Sequence, residues 1–575
     1  MKKLVFILLF FLVVALDSAV FANSSLHSAD YDSLTSKVDR IFAEWDKTNS
    51  PGCALAVIKN GEMIYKRGYG MANLEYGLAI SPKSVFRIGS TSKQFTATAI
   101  LLLAEQGKLS LDDDIRKHIP ELPEYEAPIT IQHLIHHTSG IRDYLTLMYE
   151  IAGLRNDDFL TDGEVLDLIA RQKELNFKPG DEHLYSNSGY FLLSVIVKRV
   201  TGKSLRAFAE ENIFKPLGMD NTHFHNDHTM IVKNRAAGYS PQKEGGFRIN
   251  MTALDMIGDG GVFTTVEDLH KWDMNFYHNK RGHEGDDLIK KLLTPGKLNN
   301  GETLDYAFGL RVSDYRGLKM ISHGGSFVGF RAEMIRFPEQ KFSVICLANL
   351  STIQSPTLAR RVADIYLADQ FKQPDTKYKA ESVDATQFIE RAPEKLNDYT
   401  GTFRNPVTGR IWKVFLEEGK LSVKTQGGSQ FQIAPINQTQ FRPVSSSVEL
   451  TITFERQHSN KPSRMHVSRE GEKTESYEAI QVVSPTSDQL AEYVGQFFSD
   501  EVQVTYKVVL EEGKLFIRHG NKHKNYPKEP LEPTLKDMFV VSFMGIHFLR
   551  HDPGKVSAFK LNVGRVKNIR FVKKD

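Results

Sequence analysis

The strongest constraint on the fold is an internal repeat toward the C-terminal end of the chain. Leu396, Tyr399, Gly401 and Phe403 recur as Leu490, Tyr493, Gly495 and Phe497, a constant offset of 94 residues (396 to 490). Leu416-Glu417-Glu418-Gly419-Lys420-Leu421 recurs as Leu510-Glu511-Glu512-Gly513-Lys514-Leu515 in the same register. Identities in one register over two separate stretches mark two copies of one module. Each copy consists of short alternating apolar runs broken by turn signals, which predicts a small antiparallel all-β barrel or sandwich. The copies occupy 396–485 and 486–575, after a polar, charged linker at 372–395. Neither copy carries a catalytic constellation, so chemistry must come from the residues before the linker.

The N-terminal end bears on where the chain works. Lys2-Lys3 precede an uninterrupted apolar run over 4–16, and Val20-Phe21-Ala22 offers small or branched residues for cleavage. This pattern is that of a secretory signal peptide over 1–22, and the run is short for a spanning helix; the alternative is an uncleaved anchor. No cysteine follows the apolar run, and no later stretch approaches about 18 apolar residues. The mature chain is therefore expected to be exported, periplasmic or secreted, with no stable membrane span. With 73 Lys+Arg against 70 Asp+Glu, net +3, nucleic acid and acidic membranes are poor partners. Cys53 and Cys346 both lie in apolar, strand-like runs. Two buried free thiols is the plainer reading, since a bridge needs neighbouring strands and suitable Cβ geometry.

Residues 23–371 alternate in character. Asn60-Gly61 between apolar runs predicts a hairpin over 54–69, and apolar residues at helical spacing predict a helix over 90–106. From 109 to about 268 the pattern is helix and loop; strand signals return at 308–312, 320–322, 330–337 and 342–347, followed by a helix over 357–371. Strands at both ends with helices between them describe an α+β domain whose terminal strands can share one sheet.

Ser90 and Lys93 stand at i and i+3 in Gly89-Ser90-Thr91-Ser92-Lys93, on one face of a helix that begins after Gly89. A serine hydroxyl becomes a useful nucleophile when a neighbouring base takes its proton, and the helix N-terminus stabilises negative charge developing there. Two further segments join it: Tyr185-Ser186-Asn187, and His323-Gly324-Gly325-Ser326 at the end of a strand signal. In order and spacing the three resemble the serine β-lactamase and penicillin-binding-protein superfamily, whose pattern is S-x-x-K, [YS]-x-N and [KH]-[TSG]-G. The His-Gly-Gly form most resembles the esterase and D-aminopeptidase branch near class C β-lactamases. Leu109–Asp113, His136-His137-Thr138-Ser139-Gly140-Ile141 and Gly260-Gly261-Val262-Phe263-Thr264-Thr265 also look like that family. The likeness covers about residues 30–370, and the two trailing modules resemble the lipocalin-like barrels of D-aminopeptidases.

The resemblance implies a β-lactamase/transpeptidase-like domain, an antiparallel sheet plus a helical region, followed by two small all-β modules. It further implies that Ser90 attacks a carbonyl, with Lys93 and Tyr185 sharing acid and base work and Asn187 bonding the substrate amide. The N–H groups of Ser90 and Ser326 would form an oxyanion hole, with Gly324 and Gly325 leaving room for the approach. His323 stands where a lysine is common, replacing a permanent cation with a titratable one. No class A-type deacylating glutamate can be assigned, which leaves water activation to Tyr185 and its neighbours.

The remaining candidates are weaker. His223, His225 and His228 could meet at a metal only if they converged, and a surface loop is the simpler reading. His136-His137 reads as a structural turn, Asp112-Asp113-Asp114 as a solvated turn, and the basic run over 518–528 as a barrel loop. No metal or cofactor is expected. The expected protein is a serine hydrolase forming an acyl-enzyme on small amides, esters or D-amino-acid peptides, with a β-lactamase as the runner-up. A catalytically idle protein that holds a peptide or lipid is the alternative of another class. The β modules could shield the active site or serve oligomerisation.

Overall fold

A computed structural model describes residues 34–279, 287–372, 388–426, 428–444, 450–456, 461–469, 474–520, 527–552 and 554–574. The expected signal peptide, most of the linker, and Lys522, His523 and Lys524 of the basic run lie outside the described residues. Packing divides the described residues into two compact units. The first takes 34–113, 130–136, 190–279 and 287–372; the second takes 114–129, 137–189 and the described residues from 388 on.

The first unit is organised by a six-stranded antiparallel sheet. Its order is Arg311–Tyr315, Leu318–Phe327, Phe330–Phe337, Phe342–Ala348, Cys53–Lys59 and Glu62–Tyr69. The strands from the two ends of the sequence thus meet in the middle, where Cys53 faces Ala348 and Lys59 faces Phe342. The hairpin forms where Asn60-Gly61 predicts it: both residues have positive φ (54° and 85°), the geometry of a type I′ turn. Cys53 and Cys346 sit on neighbouring strands two register positions apart, since Cys346 faces Leu55, and both thiols are buried and free. One face of the sheet buries Leu55, Val57, Ile335 and Val344 with the helix Ser355–Tyr366, which contributes Leu358 and Val362.

The helix Val266–His278 is tied to the sheet by a buried ion pair. Arg336 Nε donates to Asp273 Oδ1 at 2.6 Å, with the two side chains 2% and 1% exposed. Ser343 donates to the same oxygen at 3.0 Å, and the Arg336 guanidinium lies 3.6 Å from the centroid of the Phe276 ring. The helix follows directly on the strand Val262–Thr264, so this pair also fixes the segment that packs on the Ser90 turn.

The second unit contains both repeat copies. The first closes into an eight-stranded barrel, Gly401–Arg404 through Glu475–Ile480, sealed by the pairing of Thr402 with Ile480. The second forms a nine-stranded antiparallel sheet whose two edges are the consecutive strands Glu529–Pro530 and Glu532–Leu535. Pro530 and Pro533 have no N–H to donate, which suits these strands to be edges and leaves this copy short of closure. The repeated residues do the same work in both copies. Glu418-Gly419 and Glu512-Gly513 all have positive φ and turn matching hairpins in which Leu416 faces Leu421 and Leu510 faces Leu515. Tyr399 packs on Phe441 and Phe454, and Tyr493 packs on Phe539 and Phe548.

Segment 137–189 belongs to this unit because it is docked onto the second copy. Arg142, fully buried, donates to Glu501 Oε2 at 2.5 Å and to the carbonyls of Lys567 (3.0 Å) and Asn568 (3.1 Å). Tyr506 Oη donates to Ile151 O at 2.9 Å.

Removing one member of a buried pair strands the other charge, at a cost of about 3–5 kcal/mol. Asp273→Ala is accordingly expected to lower unfolding stability by about that amount. Urea denaturation should show a lower midpoint at an unchanged m-value. A loss below about 1 kcal/mol would mean that the pair does not hold the helix.

Candidate active site

The first unit carries Ser90, Lys93 and the strand motif. The chain enters through Phe86–Arg87, turns at Gly89 (φ 50°), makes a 3-10 turn over Gly89–Ser92 and continues as the helix Lys93–Glu105. The sequence predicts one helix from 90; its first turn is instead tightened, and Ser90 stands on that turn, partly exposed. Several bonds hold the turn to the segment 258–264. Ile88 N donates to Val262 O at 3.0 Å, Val262 N to Ser92 Oγ at 3.0 Å, and Arg87 Nε to Gly260 O at 3.1 Å.

Lys93 is completely buried. Its Nζ donates to Asp259 O at 2.6 Å, lies 3.3 Å from Ser90 Oγ, and stands 5.4 Å from the Tyr190 ring centroid. The i, i+3 spacing has therefore put the amine within hydrogen-bond reach of the hydroxyl, the geometry a general base requires.

The strand Leu318–Phe327 runs against this turn so closely that only glycine fits at 325. A Cβ there would fall 1.8 Å from Ile88 O, and a Cβ on Gly89 would fall 3.0 Å from Ser326 N. Thr91 Oγ1 donates to His323 O at 3.1 Å. The Ser326 N–H is thereby held beside the turn that carries Ser90, a placement suited to a pair of oxyanion donors. Gly324 is constrained from the other side, where a Cβ would come within 2.6 Å of Glu333 Oε2; burial pushes the Glu333 carboxyl up to about 8.

His323 differs from the expectation of a group that titrates near neutrality. Its Nδ1 donates to Gly324 O at 2.7 Å, and its Nε2 accepts from Tyr306 Oη at 3.0 Å, which fixes a neutral tautomer. Burial, helped by the positive charge of Lys93, holds the imidazole down to about 3. Both ring nitrogens are engaged by protein groups, so this residue offers no cation to a substrate carboxylate.

The second unit carries Tyr185 and Asn187. Leu184 N donates to His137 O at 3.0 Å and Ser186 N to His137 Nδ1 at 3.2 Å, so His137, held at φ 58°, supports the loop. The His137 and Tyr185 rings lie 4.1 Å apart. Asn187 opens the helix Asn187–Thr201, and its N–H donates to Asp143 Oδ2 at 2.7 Å. Ser188 Oγ donates to Arg142 O at 2.6 Å and accepts from Tyr144 N at 2.8 Å.

Sequence reasoning did not single out Asp259, Tyr306 or Asp143. Asp259 acts through its carbonyl, which no residue type announces, and Tyr306 stands 17 residues before His323 in a stretch without a motif. Asp143 directly follows Gly140-Ile141-Arg142, and its nearness to a family segment was the available signal. The histidines of the H-x-H-x-x-H run do not meet at one point. His223 Nε2 and His225 Nδ1 are 3.2 Å apart, whereas His228 pairs with Asp255 at 2.9 Å. Among the described residues no group of three metal-ligating side chains is assembled, and no helix is long and apolar enough to cross a membrane.

Because its folded value lies below the ordinary 6.5, His323 favours the folded state fully above about pH 6.5, and that contribution is lost as pH falls toward about 3. Between pH 5 and 8 the imidazole is expected to stay neutral with its proton on Nδ1. Nitrogen-15 NMR of labelled histidine should find, among the resonance sets that do not titrate in this window, one that disappears in His323→Gln. Titration of that set near pH 6.5 would refute the assignment.

Comparison with known proteins gives concordant findings. The sequence model of one family, Beta-lactamase, matches residues 38–368, more than half of the chain. Penicillin-binding protein 4* of Bacillus subtilis (strain 168) is 27% identical over 435 residues, covering 71% of this chain and 91% of its own. A D-aminopeptidase of Gluconobacter oxydans (strain 621H) is 29% identical over 299 residues, 52% of this chain and 56% of its own length, so that match spans about half of the relative. Among solved structures, the octameric penicillin-binding protein homologue from Pyrococcus abyssi superposes with a TM-score of 0.55 at 25% identity, covering 78% of this chain and 100% of that one. SurE shares the fold, with a TM-score of 0.52 at 19% identity over 79% of this chain and 100% of its own.

Proposed function

The chain belongs to the β-lactamase family and is a serine hydrolase, and from this premise we propose that it works through an acyl-enzyme on Ser90. The observation that carries the reading is the buried Lys93 amine 3.3 Å from Ser90 Oγ, on a turn packed against Gly325-Ser326. Ser90 attacks the substrate carbonyl while Lys93 takes its proton, Lys93 and Tyr185 sharing the acid and base work, and the N–H groups of Ser90 and Ser326 receive the oxyanion. Asn187 bonds the substrate amide. The leaving group takes the proton back, and water activated by Tyr185 releases the acyl group.

For the substrate, we propose small amides, esters and above all peptides of D-amino acids. The D-aminopeptidase similarity supports this class. The neutral, internally bonded His323 supplies no charge to grip a carboxylate, which supports the amides and esters of this class, substrates without a free carboxylate, over the β-lactamase reading. The other class of reading, a binding protein that does no chemistry, draws on a cavity of about 580 Å³ lined by Trp412, Phe431, Tyr477, Arg410 and Arg469. The intact serine–lysine pair argues against it as the whole function. We further propose that residues 1–22 direct export and are removed; amino-terminal sequencing of the secreted protein tests this. The octameric homologue from Pyrococcus abyssi supports assembly as a property to examine by sedimentation.

A fluorophosphonate probe should label the wild type on the peptide that contains Ser90, and Ser90→Ala should lose both label and turnover, the latter by at least about 10³-fold. D-alanine p-nitroanilide should be cleaved faster than nitrocefin. Absence of label on wild-type Ser90 would overturn the acyl-enzyme, and the reverse order of rates would restore the β-lactamase.

A further inference from the structure

The last turn of the second β module reaches the tyrosine motif. Gly564 and Arg565 connect the strands Lys555–Val563 and Val566–Lys574, and Gly564 has φ 52°, which its missing Cβ permits. The turn is gripped by segment 137–189. Asn176 Nδ2 donates to Arg565 O at 2.9 Å, Lys567 N donates to Asn176 Oδ1 at 2.8 Å, and the buried Arg142 donates to Lys567 O and Asn568 O. Held in this way, the Arg565 guanidinium lies 4.7 Å from the centroid of the Tyr185 ring and 3.8 Å from Asp143 Oδ2. Asp143 is 1% exposed, and that same oxygen accepts the Asn187 N–H at 2.7 Å. Its other oxygen accepts Thr146 N and Oγ1. One arginine therefore touches the ring of Tyr185 directly and reaches the backbone of Asn187 through a single fixed carboxylate.

We propose that Arg565 is a positioning residue for the reaction, a permanent cation by which the second β module holds Tyr185 and Asn187 in working geometry. The proposal rests on the reading above that Tyr185 transfers a proton. An arginine keeps its charge at every working pH, and its planar group can lie on an aromatic face while a second edge meets a carboxylate. When Tyr185 gives up its proton the ring becomes richer in electrons, so its attraction to Arg565 grows along the reaction. An interaction that strengthens toward the transition state raises kcat more than it changes KM. The C-terminal repeat copy, which has no catalytic motif of its own, acts in the chemistry through this one side chain.

The test uses the full chain and four proteins: wild type, Arg565→Ala, Arg565→Lys and Tyr506→Phe. The last removes a different bond between the module and segment 137–189, the one to Ile151 O, and leaves the Arg565–Tyr185 pair intact. Arg565→Ala is expected to lower kcat and the rate of fluorophosphonate labelling at Ser90 about 10-fold, with KM within about 2-fold and the thermal midpoint retained. Arg565→Lys should recover part of the rate, and millimolar guanidinium ion should restore Arg565→Ala without accelerating the wild type. Tyr506→Phe should turn over like the wild type. Equal labelling and turnover by Arg565→Ala and wild type would overturn this proposal alone. So would a loss matched by Tyr506→Phe and relieved neither by lysine nor by guanidinium, because the arginine would then serve only to dock the module. If wild-type Ser90 takes no label, the acyl-enzyme reading falls and takes this proposal with it.

Discussion

A lysine side chain with no exposure to solvent is the constraint around which the first unit is arranged. A buried amine left without hydrogen-bond partners is so unfavourable that the fold must supply them. Here the Asp259 carbonyl and the Ser90 hydroxyl supply them. To bring a backbone carbonyl to that point, the segment from 258 to 261 must pass close to its neighbours, and three glycines make this passage. A Cβ on Gly258 would strike Tyr190 O at 2.2 Å, and one on Gly261 would come within 2.6 Å of Ile257 Cα. The same segment then becomes the short strand that brackets the serine turn, and the helix behind it is anchored by Asp273 and Arg336. Burial of one amine thus goes together with a glycine-lined passage of backbone beside it.

What the sequence made legible follows from which interactions are local. The Asn60-Gly61 hairpin, the i, i+3 pairing of Ser90 with Lys93 and the repeated Glu-Gly turns are set by residues within a few positions of one another. Each is found where the pattern puts it. The sharing of one sheet by the first and last strands of the α+β region could be read as a possibility, and the register of Cys53 against Ala348 makes it a fact. The docking of 137–189 on the second repeat copy was not legible. It depends on Arg142 and Glu501, more than three hundred residues apart, and on carbonyls of the last hairpin, and an isolated arginine or glutamate carries no sign of its partner. The chemical state of His323 was equally hidden, because it is decided by burial and by Tyr306 rather than by the motif around it.

The two repeat copies illustrate how one pattern acquires two roles. The shared tyrosine and hairpin specify the same local core in each copy, so both begin as the same β meander. They diverge where the pattern is silent. In the first copy the terminal strands pair and close the barrel, leaving no open edge to protect. In the second, prolines at 530 and 533 blunt the two edges, and the sheet need not close to stay safe from edge-to-edge pairing. Relieved of closure, the second copy turns its last hairpin and Glu501 to another use, the burial of Arg142. In this copy Glu501 stands beside a turn whose carbonyls of Lys567 and Asn568 face the guanidinium.

The position of that arginine gives the docking a meaning beyond adhesion. Arg142 O accepts from Ser188, in the first turn of the helix that Asn187 opens, and the next residue, Asp143, takes the Asn187 N–H. A guanidinium that bonds Glu501 and two module carbonyls on one side therefore belongs to a residue whose own backbone fixes the motif on the other. Buried charge pairs contribute little net stability once desolvation is counted, yet they are strongly directional. A contact made of Arg142 and Glu501 suits a junction that must hold one geometry more than it suits one that merely holds tight. The second β module is in this sense continuous with the tyrosine motif. Its fold is generic, and the groups at its last turn are specific to the segment they hold.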